Sequence, residues 1–284
     1  MVRIVACLAG LMLAASFAGA FHPIGDSLAV LRLPFAVVFA LAVIWTNWSA
    51  ATRWSLAALA MVPLVLVVWD KSTSPAPGSF TVYQKNMLYR NTALDDLYAD
   101  IEARAPDVIT LQEVSSRNET LLAKLAAEYP YQHLCRYRGW RGVAVLSRSP
   151  FAPDSAALCE PAFGMAVALV QSSDGPVWVA SVHMHWPFPY EQAAQRDALQ
   201  PLLRGLEGPL ILSGDFNMVP WGASVRDLGS VAGEKAGPLR PTYRLKGVPL
   251  PIDHIFAPGG GRVEVLPLLG SDHNGLFGRV SIKP

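Results

Sequence analysis

The distribution of charge along the chain is its most constraining feature, because the first quarter carries almost none. Up to Trp69 the charged side chains are Arg3, Asp26, Arg32 and Arg53, whereas the remainder of the 284 residues has an ordinary mixture. Hydrophobic residues make up 52% of the whole chain and charged residues only 16%, which shifts the average toward membrane proteins. A segment this apolar needs a lipid bilayer or a protein interior to cover it.

Three apolar runs occupy this segment, at residues 4–21, 33–46 and 54–69. A transmembrane helix needs about 20 apolar residues, so the runs are slightly short. Tryptophans at both ends of the third run, Trp54 and Trp69, are typical of the aromatic belts of membrane proteins. We therefore predict about three transmembrane helices within residues 1–70, a Ser/Pro/Gly-rich linker at 71–79 and a soluble domain at 80–284.

Two other interpretations of the first run stay open. It resembles a secretory signal peptide, because Arg3 precedes an apolar stretch that ends in the small residues 18–20. A buried core helix would have a similar composition. The count of Lys and Arg in the loops does not settle the orientation. From the signal-like start and from the cysteines we predict a protein of the bacterial inner membrane with its soluble domain on the extracytoplasmic side.

The soluble part contains two cysteines, Cys135 and Cys159, and a third, Cys7, lies in the first apolar run. Cys135 follows the strand-like residues 131–134, and Cys159 comes after the strand-like residues 142–147 and their turn at Pro150. Strands joined by a turn are often neighbours. We therefore predict a disulfide between these two residues. Such a bond persists in an oxidising compartment and not in the cytoplasm. The alternative is a pair of unrelated buried thiols.

Many short apolar strands with a few amphipathic helices between them follow residue 80. This pattern predicts an α/β fold, a four-layer sandwich in which two packed mixed β-sheets are flanked by helices. The net charge of the soluble part is near zero. A strongly basic domain would have indicated nucleic acid, so the balance weakens a nuclease interpretation without excluding it.

Polar side chains that can bind a metal or a phosphate recur at the ends of the predicted strands. They are Asn86, Glu113, His183, Asp215, Asn217, Asp253, Asp272 and His273. Each alone has an ordinary explanation as a turn, a helix cap or a solvated loop residue. Together they form a set of carboxylate, amide and imidazole groups without cysteine, which suits Mg²⁺ or Mn²⁺ better than zinc.

In this order the residues resemble the motif set of the endonuclease/exonuclease/phosphatase superfamily. Deoxyribonuclease I, abasic-site endonucleases, inositol-polyphosphate 5-phosphatases and neutral sphingomyelinases belong to it. The resemblance implies a metal-dependent hydrolase of phosphate esters, with Mg²⁺ or Mn²⁺ as cofactor. It implies that Glu113, with Asn86 and Asp272, holds the metal, which draws charge from a phosphate oxygen.

The same resemblance implies catalytic roles for the remaining residues of the set. His273 is similar to the histidine beside the scissile phosphate, and Asp253 would hold it in orientation. Asp215 would position or deprotonate the attacking water. Asn217 and His183 would donate hydrogen bonds to phosphoryl oxygens as charge develops. Which residue acts as the base stays open.

The substrate also stays open among phospholipid, nucleic acid and small phosphodiester. A membrane tether favours a phosphodiester near lipid headgroups, and no obligate protein partner is inferred. Arg136, Arg138 and Arg141 alternate with Tyr137 and Trp140 and predict a basic, aromatic lip for the substrate. An ordinary hairpin with solvated charges fits the same pattern. The other interpretations are a nuclease of extracytoplasmic DNA or RNA and a non-catalytic membrane-tethered binding module.

Overall fold

The structure is a computed structural model that describes residues 1–72, 76–137, 141–153 and 157–283. The helices are α1 (Val2–Ala15), α2 (Ile24–Val30), α3 (Arg32–Ile44), α4 (Ala50–Ser72), α5 (Leu94–Arg104), α6 (Thr120–Leu125), α7 (Gln192–Arg204) and α8 (Ala223–Ala232). The strands are β1 (Phe80–Asn86), β2 (Val108–Val114), β3 (Tyr131–Tyr137), β4 (Arg141–Ser147), β5 (Leu158–Glu160), β6 (Met165–Val170), β7 (Val177–His183), β8 (Leu210–Asp215), β9 (Glu234–Lys235), β10 (Tyr243–Leu245), β11 (Val248–Leu250), β12 (Asp253–Ala257), β13 (Gly261–Val265) and β14 (Leu276–Val280).

Two six-stranded sheets form the centre of the fold, in the orders β13-β14-β1-β2-β4-β3 and β5-β6-β7-β8-β12-β9. Each sheet has one parallel pair, β1 with β2 and β7 with β8, and its other pairs are antiparallel. Buried aliphatic side chains from both sheets, such as Val82, Val145 and Val179, meet in one core. Two further cores lie on the outer faces, under α5 and α6 on one sheet and under α7 and α8 on the other. The predicted sandwich of two packed mixed sheets between helices is therefore confirmed.

The N-terminal helices α1, α3 and α4 pack side by side through small residues such as Ala36, Ala40 and Ala60, and we call them the helix block. Within residues 50–70 of α4, an 18-residue window has a mean hydropathy of 1.8, and 11% of that window is buried. These 21 residues extend about 32 Å, which matches the hydrocarbon core of about 30 Å. A core helix of a soluble protein would be mostly buried instead.

The prediction of about three transmembrane helices is wrong in number. Of the described residues, one helix is long and apolar enough to cross a bilayer, or two if α2 and α3 form one broken span. These two helices are bent by 72° from each other. Helix α1 has 14 residues and is about 21 Å long, so it falls short. The apolar runs predicted these helices, but turns at 16–23 and 45–49 shorten them.

The segment between α1 and α3 is docked on the sandwich. The buried carboxylate of Asp26 accepts hydrogen bonds from the backbone N–H groups of Ala223 (2.7 Å) and Ser224 (3.1 Å). It thereby caps the N-terminus of α8 from a distant part of the sequence, where a negative charge also meets the positive end of the helix dipole. The indole of Trp221 donates to the carbonyl of Ala29 (2.8 Å). Residues 1–70 are thus fixed to the sandwich by more than the linker.

Cys135 and Cys159 form a disulfide, with their Cα atoms 5.2 Å apart. The two residues do not lie on neighbouring strands of one sheet, which was the basis of the prediction. Cys135 lies on β3 and Cys159 on β5, the edge strands of the two different sheets. The bond therefore clamps the sandwich at one edge.

Replacing both Cys135 and Cys159 with Ser is expected to lower the free energy of unfolding by about 3 kcal/mol, because the bond closes a loop of 24 residues in the unfolded chain. Denaturant unfolding of the non-reduced protein measures the change. Cys7→Ser serves as the control, since Cys7 is exposed on α1 and free. Mass spectrometry that finds both thiols alkylatable in non-reduced protein would contradict the bond.

Candidate active site

The sequence-predicted residues converge on one rim of the sandwich because of strand direction. Asn86 ends β1, Glu113 lies one residue before the end of β2, His183 ends β7 and Asp215 ends β8. These strands form the two parallel pairs, so their carboxyl ends share one edge. Asp253 begins the antiparallel strand β12 and is directly paired with Asp215, as is His183.

The loop between β13 and β14 brings His273 and Asp272 to the same rim. The ammonium group of the buried Lys85 holds this loop by donating to the carbonyl oxygens of Pro267 (3.0 Å), Leu268 (2.8 Å) and His273 (2.7 Å). Burial lowers the pKa of Lys85 to about 8, against the raising effect of nearby carboxylates. Three carbonyl acceptors satisfy all three N–H donors of the ammonium group, so the buried charge is compensated.

The carboxylate of Asp215 lies at the centre of the site. Its Oδ2 accepts a hydrogen bond from Nδ2 of Asn86 (2.9 Å), and its Oδ1 accepts one from the backbone N–H of Asn217 (2.8 Å). Oδ2 also lies 3.6 Å from Nε2 of His183 and 3.7 Å from Nε2 of His273. Burial raises the pKa of Asp215 to about 7, with His273 opposing the shift. A carboxylate with a pKa near neutrality is suited to accept a proton.

His273 and Asp253 form a buried ion pair beside this carboxylate. Nδ1 of His273 lies 2.9 Å from Oδ2 of Asp253, and Gln84 donates to Oδ1 of the same aspartate (2.8 Å). Burial opposes the charge of His273, but Asp253 and Asp215 outweigh it and raise the pKa of His273 to about 10. Burial also opposes ionisation of Asp253, yet the positive charge of His273 keeps its pKa below the ordinary value. His273 is therefore a cation at neutral pH, oriented with Nε2 toward Asp215.

His183 has the opposite protonation state. Burial, together with the positive charges of His273 and Arg141, lowers the pKa of His183 to about 3. The hydroxyl group of Tyr137 is hydrogen-bonded to Nδ1. A hydroxyl that donates to Nδ1 leaves the single proton of a neutral imidazole on Nε2. His183 thus presents a neutral N–H donor next to the carboxylates of Asp215 and Glu113.

Glu113 is held in a conformation that suits a metal ligand. Its Oε2 accepts a hydrogen bond from the backbone N–H of Tyr89 (2.9 Å), and its Oε1 lies 3.7 Å from Arg141 and 3.9 Å from His183. The backbone of Glu113 has φ of 57°, an uncommon value for a side chain of this size. Such local strain often marks functional positions.

The donors near Glu113 fit a hard divalent cation. Glu113 and the exposed Asp272 line the same cavity, and Asn86 is buried on the strand next to that of Glu113. The carboxylates of Glu113 and Asp272 are oxygen ligands of the kind that Mg²⁺ and Mn²⁺ prefer, as is the amide oxygen of Asn86, which also accepts a hydrogen bond from the backbone N–H of Leu88 (2.9 Å). Asn86, Glu113 and Asp272 therefore remain the candidate metal ligands.

A second group of potential ligands consists of Asp215, Asp253 and His273, whose nearest ligand atoms all lie within 4.8 Å of one another. In this group the Nδ1 atom of His273 and the Oδ2 atom of Asp253 are already hydrogen-bonded to each other. A charged imidazole has no lone pair for a metal. Hydrogen bonding within the site therefore explains this cluster better than a metal ion does.

Asn217 and His254 illustrate how neighbouring polar residues divide between the site and the core. Asn217 lines the cavity, and its Nδ2 donates one hydrogen to the carbonyl of Met184 (2.8 Å). An amide nitrogen carries a second hydrogen, which leaves a donor for a ligand. His254 follows Asp253 on β12, and its Nε2 instead hydrogen-bonds the carbonyl of Met218 (2.9 Å).

The predicted basic lip is present only in part. Arg141 lines the cavity and stacks over the ring of Tyr89, with 4.5 Å between the guanidinium carbon and the ring centroid. Arg136 forms an ion pair with Glu119 and does not line the cavity. Arg138 and Trp140 lie outside the described residues.

These groups open into a cavity of about 650 Å³. Its further walls come from the loop after β7 and from the β10–β11 hairpin, with Trp186, Pro189, Tyr190 and Tyr243. The ring of Tyr243 lies 4.7 Å from that of His273, centroid to centroid. The volume admits a phosphate ester with substituents of moderate size.

Sequence reasoning missed several residues that support the site. Gln84 donates to both Asp253 and Gln112, and Gln112 donates to Ser181 (2.9 Å). This polar chain crosses between the two sheets, as does the hydrogen bond between the buried hydroxyls of Thr110 and Ser213 (2.9 Å). The available signal was a glutamine inside each of two buried strands, β1 and β2. The role of Tyr137 had no comparable signal.

Comparison with known protein families gives a match that covers most of the chain. The family model described as "Endonuclease/Exonuclease/phosphatase family" matches residues 84–273. No curated protein matches the sequence.

Solved structures with the same fold share little sequence with the chain. The 3′ phosphatase NExo from Neisseria, bound to product DNA hairpin, is 18% identical with a TM-score of 0.57, covering 72% of this chain and 100% of that one. A mutant of beta toxin from Staphylococcus aureus with bound magnesium ions is 14% identical with a TM-score of 0.54, at 72% and 100% coverage. An endonuclease/exonuclease/phosphatase from Beutenbergia cavernae is 20% identical with a TM-score of 0.51, at 70% and 70% coverage.

Proposed function

Because this chain belongs to the endonuclease/exonuclease/phosphatase family, we propose that it is a membrane-tethered, Mg²⁺- or Mn²⁺-dependent hydrolase of phosphate esters, preferably phosphodiesters. The observation that carries this proposal is the position of Asp215. Its carboxylate lies between a charged and a neutral histidine, in a cavity that Glu113 and Asp272 also line.

The protonation state of each side chain determines its role in hydrolysis. Asp215, whose pKa lies near 7, accepts the proton of the attacking water. His273 as a cation and His183 as a neutral N–H donor stabilise the phosphoryl oxygens while negative charge grows on them. The gaps of 3.6 and 3.7 Å between their Nε2 atoms and Asp215 exceed a hydrogen bond, so both histidines can turn to a substrate instead.

The metal ligands of this proposal are Asn86, Glu113 and Asp272. A bound Mg²⁺ or Mn²⁺ would act as a Lewis acid on a phosphate oxygen. The backbone N–H of Tyr89 positions Glu113 for this role, because it fixes one carboxylate oxygen while Glu113 lines the cavity.

The exposed apolar surface of α4 supports the membrane tether, as 11% of its apolar window is buried. The disulfide between the two sheets supports an extracytoplasmic position, in the bacterial case outside the inner membrane, because such bonds persist in oxidising compartments.

A nuclease is the second candidate, since the structurally similar NExo was solved with product DNA. Against it stands the net charge of the chain, which is only +1, whereas nucleic-acid-binding domains are usually strongly basic. A non-catalytic binding module would not require an aspartate whose pKa lies near 7 and whose carboxylate lies between two histidines.

The proposal is tested with the full chain, purified in detergent, and bis(p-nitrophenyl) phosphate as a soluble phosphodiester. Hydrolysis is expected in the presence of Mg²⁺ or Mn²⁺, faster than that of p-nitrophenyl phosphate. Asp215→Asn, purified in parallel, controls for contaminating phosphatases. A wild-type protein that is folded and no more active than this variant on either compound or on single-stranded and duplex DNA would rule out the proposed function.

A further inference from the structure

One end of the helix block faces the sandwich. Arg32 at the start of α3 donates from Nε to the hydroxyl of Ser16, the residue after α1 (3.0 Å). Asp70, near the end of α4, forms an ion pair with Lys235 on β9 (3.4 Å). The end of α1, the start of α3 and the end of α4 therefore mark one level of the molecule, at which apolar helices give way to the soluble part.

Residues 16–31 lie at this level and contain the short helix α2. Its 72° bend from α3 directs α2 across the axis of the helix block instead of along it. The buried Asp26 joins this segment to α8, which packs against the sandwich next to β8 and β12. The catalytic site is therefore held at a fixed position relative to the block.

The mouth of the catalytic cavity lies beside the same segment. Ser27 on α2 donates a hydrogen bond to the carbonyl of Phe188 (2.6 Å), and the ring of His22 lies 6.2 Å from that of Phe188. The residues after Phe188, Pro189 and Tyr190, line the cavity. One wall of the cavity is thus part of the contact with the membrane-proximal segment.

Large apolar side chains around this contact are exposed. Phe21 is 91% exposed, Ile24 45%, Phe188 45% and Tyr190 63%. They come from two distant parts of the sequence and continue the apolar surface of the helix block toward the cavity. Exposed apolar residues grouped in this way usually mark an interaction surface. Amphipathic segments that insert aromatic and aliphatic side chains at a bilayer surface have this composition.

We propose that the cavity opens at the lipid surface and that its substrate is the phosphodiester of a phospholipid embedded in the same bilayer. The inference rests on the proposed function and names its substrate class. The acyl chains of the lipid stay in the hydrocarbon layer beside Phe21 and Ile24, and the headgroup phosphate enters between Tyr190 and His273. Water attacks phosphorus and gives a proton to Asp215, the bond between phosphorus and the ester oxygen of the alcohol breaks, that oxygen leaves with the proton from Asp215, and a phosphomonoester remains.

The experiment compares the same phosphodiesters with and without acyl chains. Full-length protein is reconstituted into vesicles of equal parts phosphatidylethanolamine, phosphatidylglycerol and cardiolipin, and released phosphomonoesters are identified by mass spectrometry. Parallel reactions contain the corresponding deacylated glycerophosphodiesters, and bis(p-nitrophenyl) phosphate reports the basal activity. Cleavage of a vesicle lipid at least about tenfold faster than its deacylated form is expected.

A double variant, Phe21→Ser with Phe188→Ser, tests the role of the exposed apolar surface. Its hydrolysis of vesicle lipid is expected to fall about tenfold while its hydrolysis of bis(p-nitrophenyl) phosphate is unchanged. Leu202→Ser makes a similar change at an exposed leucine (38%) of α7 that is remote from the cavity mouth, and is expected to leave both rates unchanged.

The outcomes of these experiments separate this inference from the proposed function. One outcome is that bis(p-nitrophenyl) phosphate is hydrolysed while the vesicle lipids and their deacylated forms are cleaved at equal rates or not at all. This outcome would overturn the proposal of a lipid substrate and leave the proposed phosphodiesterase activity intact. Equal loss of both rates in the double variant, with an unchanged melting temperature, would also overturn it. Absence of all hydrolysis would instead refute the proposed function.

Discussion

Exhaustive chelation with EDTA is expected to abolish the hydrolysis of bis(p-nitrophenyl) phosphate, and Mg²⁺ or Mn²⁺ is expected to restore it. The proposed ligands Asn86, Glu113 and Asp272 offer only oxygen atoms, which favour hard cations. Without the cation the carboxylates of Glu113, Asp215 and Asp272 would face an anionic phosphate across the same cavity. Zn²⁺ is expected to restore less activity, because the proposed ligands are carboxylate and amide oxygens, without the cysteine and histidine ligands that zinc prefers.

A substitution at Glu113 makes this prediction specific to the site. Glu113→Gln keeps the size of the side chain and removes its charge, so the Mg²⁺ concentration for half-maximal activity is expected to rise by about tenfold or more. Glu119→Gln makes the same change where the carboxylate pairs with Arg136 outside the cavity, and no change in the Mg²⁺ requirement is expected. Full activity after removal of all divalent cations would show that the ligand assignment is wrong.

The sequence predicted that the site residues lie close together, because the features that bring them together are local in the sequence. A polar residue at the end of an apolar strand can be recognised from a few neighbours, as at Glu113 and Asp215. Parallel pairing then brings strand ends to one edge without further information. The two mixed sheets followed in the same way from the alternation of apolar strands and amphipathic helices.

The sequence could not predict contacts that depend on the exact packing of the two sheets. Tyr137 and His183 lie 46 residues apart, and Lys85 and His273 lie 188 apart. No periodicity or motif specifies these pairs, since each requires a particular register and a particular loop path. The disulfide was expected between neighbouring strands, whereas it joins the edge strands of two sheets.

The N-terminal segment shows the limit of composition as evidence. Hydropathy predicted apolar helices but overestimated how many can cross a bilayer, because their lengths depend on where the turns fall. One of the two acidic residues of the segment, Asp26, carried information that composition alone did not reveal. Its carboxylate caps α8 across 197 residues of sequence, so it joins the segment between α1 and α3 to the sandwich.

Replacing His273 with Ala is expected to lower the turnover number by about 10²-fold or more, measured with bis(p-nitrophenyl) phosphate at saturating Mg²⁺. Burial opposes the charge of His273, but the negative charges of Asp253 and Asp215 outweigh it and keep His273 positively charged, with a pKa of about 10, directly beside the proposed position of the phosphate. Its removal takes away that charge and leaves Asp253 buried without its cation. Asp253→Asn is expected to reduce turnover in the same direction, since it weakens both the charge and the orientation of the imidazole.

The matched control is His254→Ala, which removes a histidine next to Asp253. Burial lowers the pKa of His254 to about 4, so it is neutral, and its Nε2 is hydrogen-bonded to the carbonyl of Met218 outside the site. Its ring packs 5.4 Å from that of Phe216, centroid to centroid. This variant is expected to lower the melting temperature while its folded fraction keeps most of the turnover. If folded His254→Ala lost as much turnover as His273→Ala, the assignment of the phosphate-facing histidine would be wrong, because only His273 joins Asp253 to Asp215.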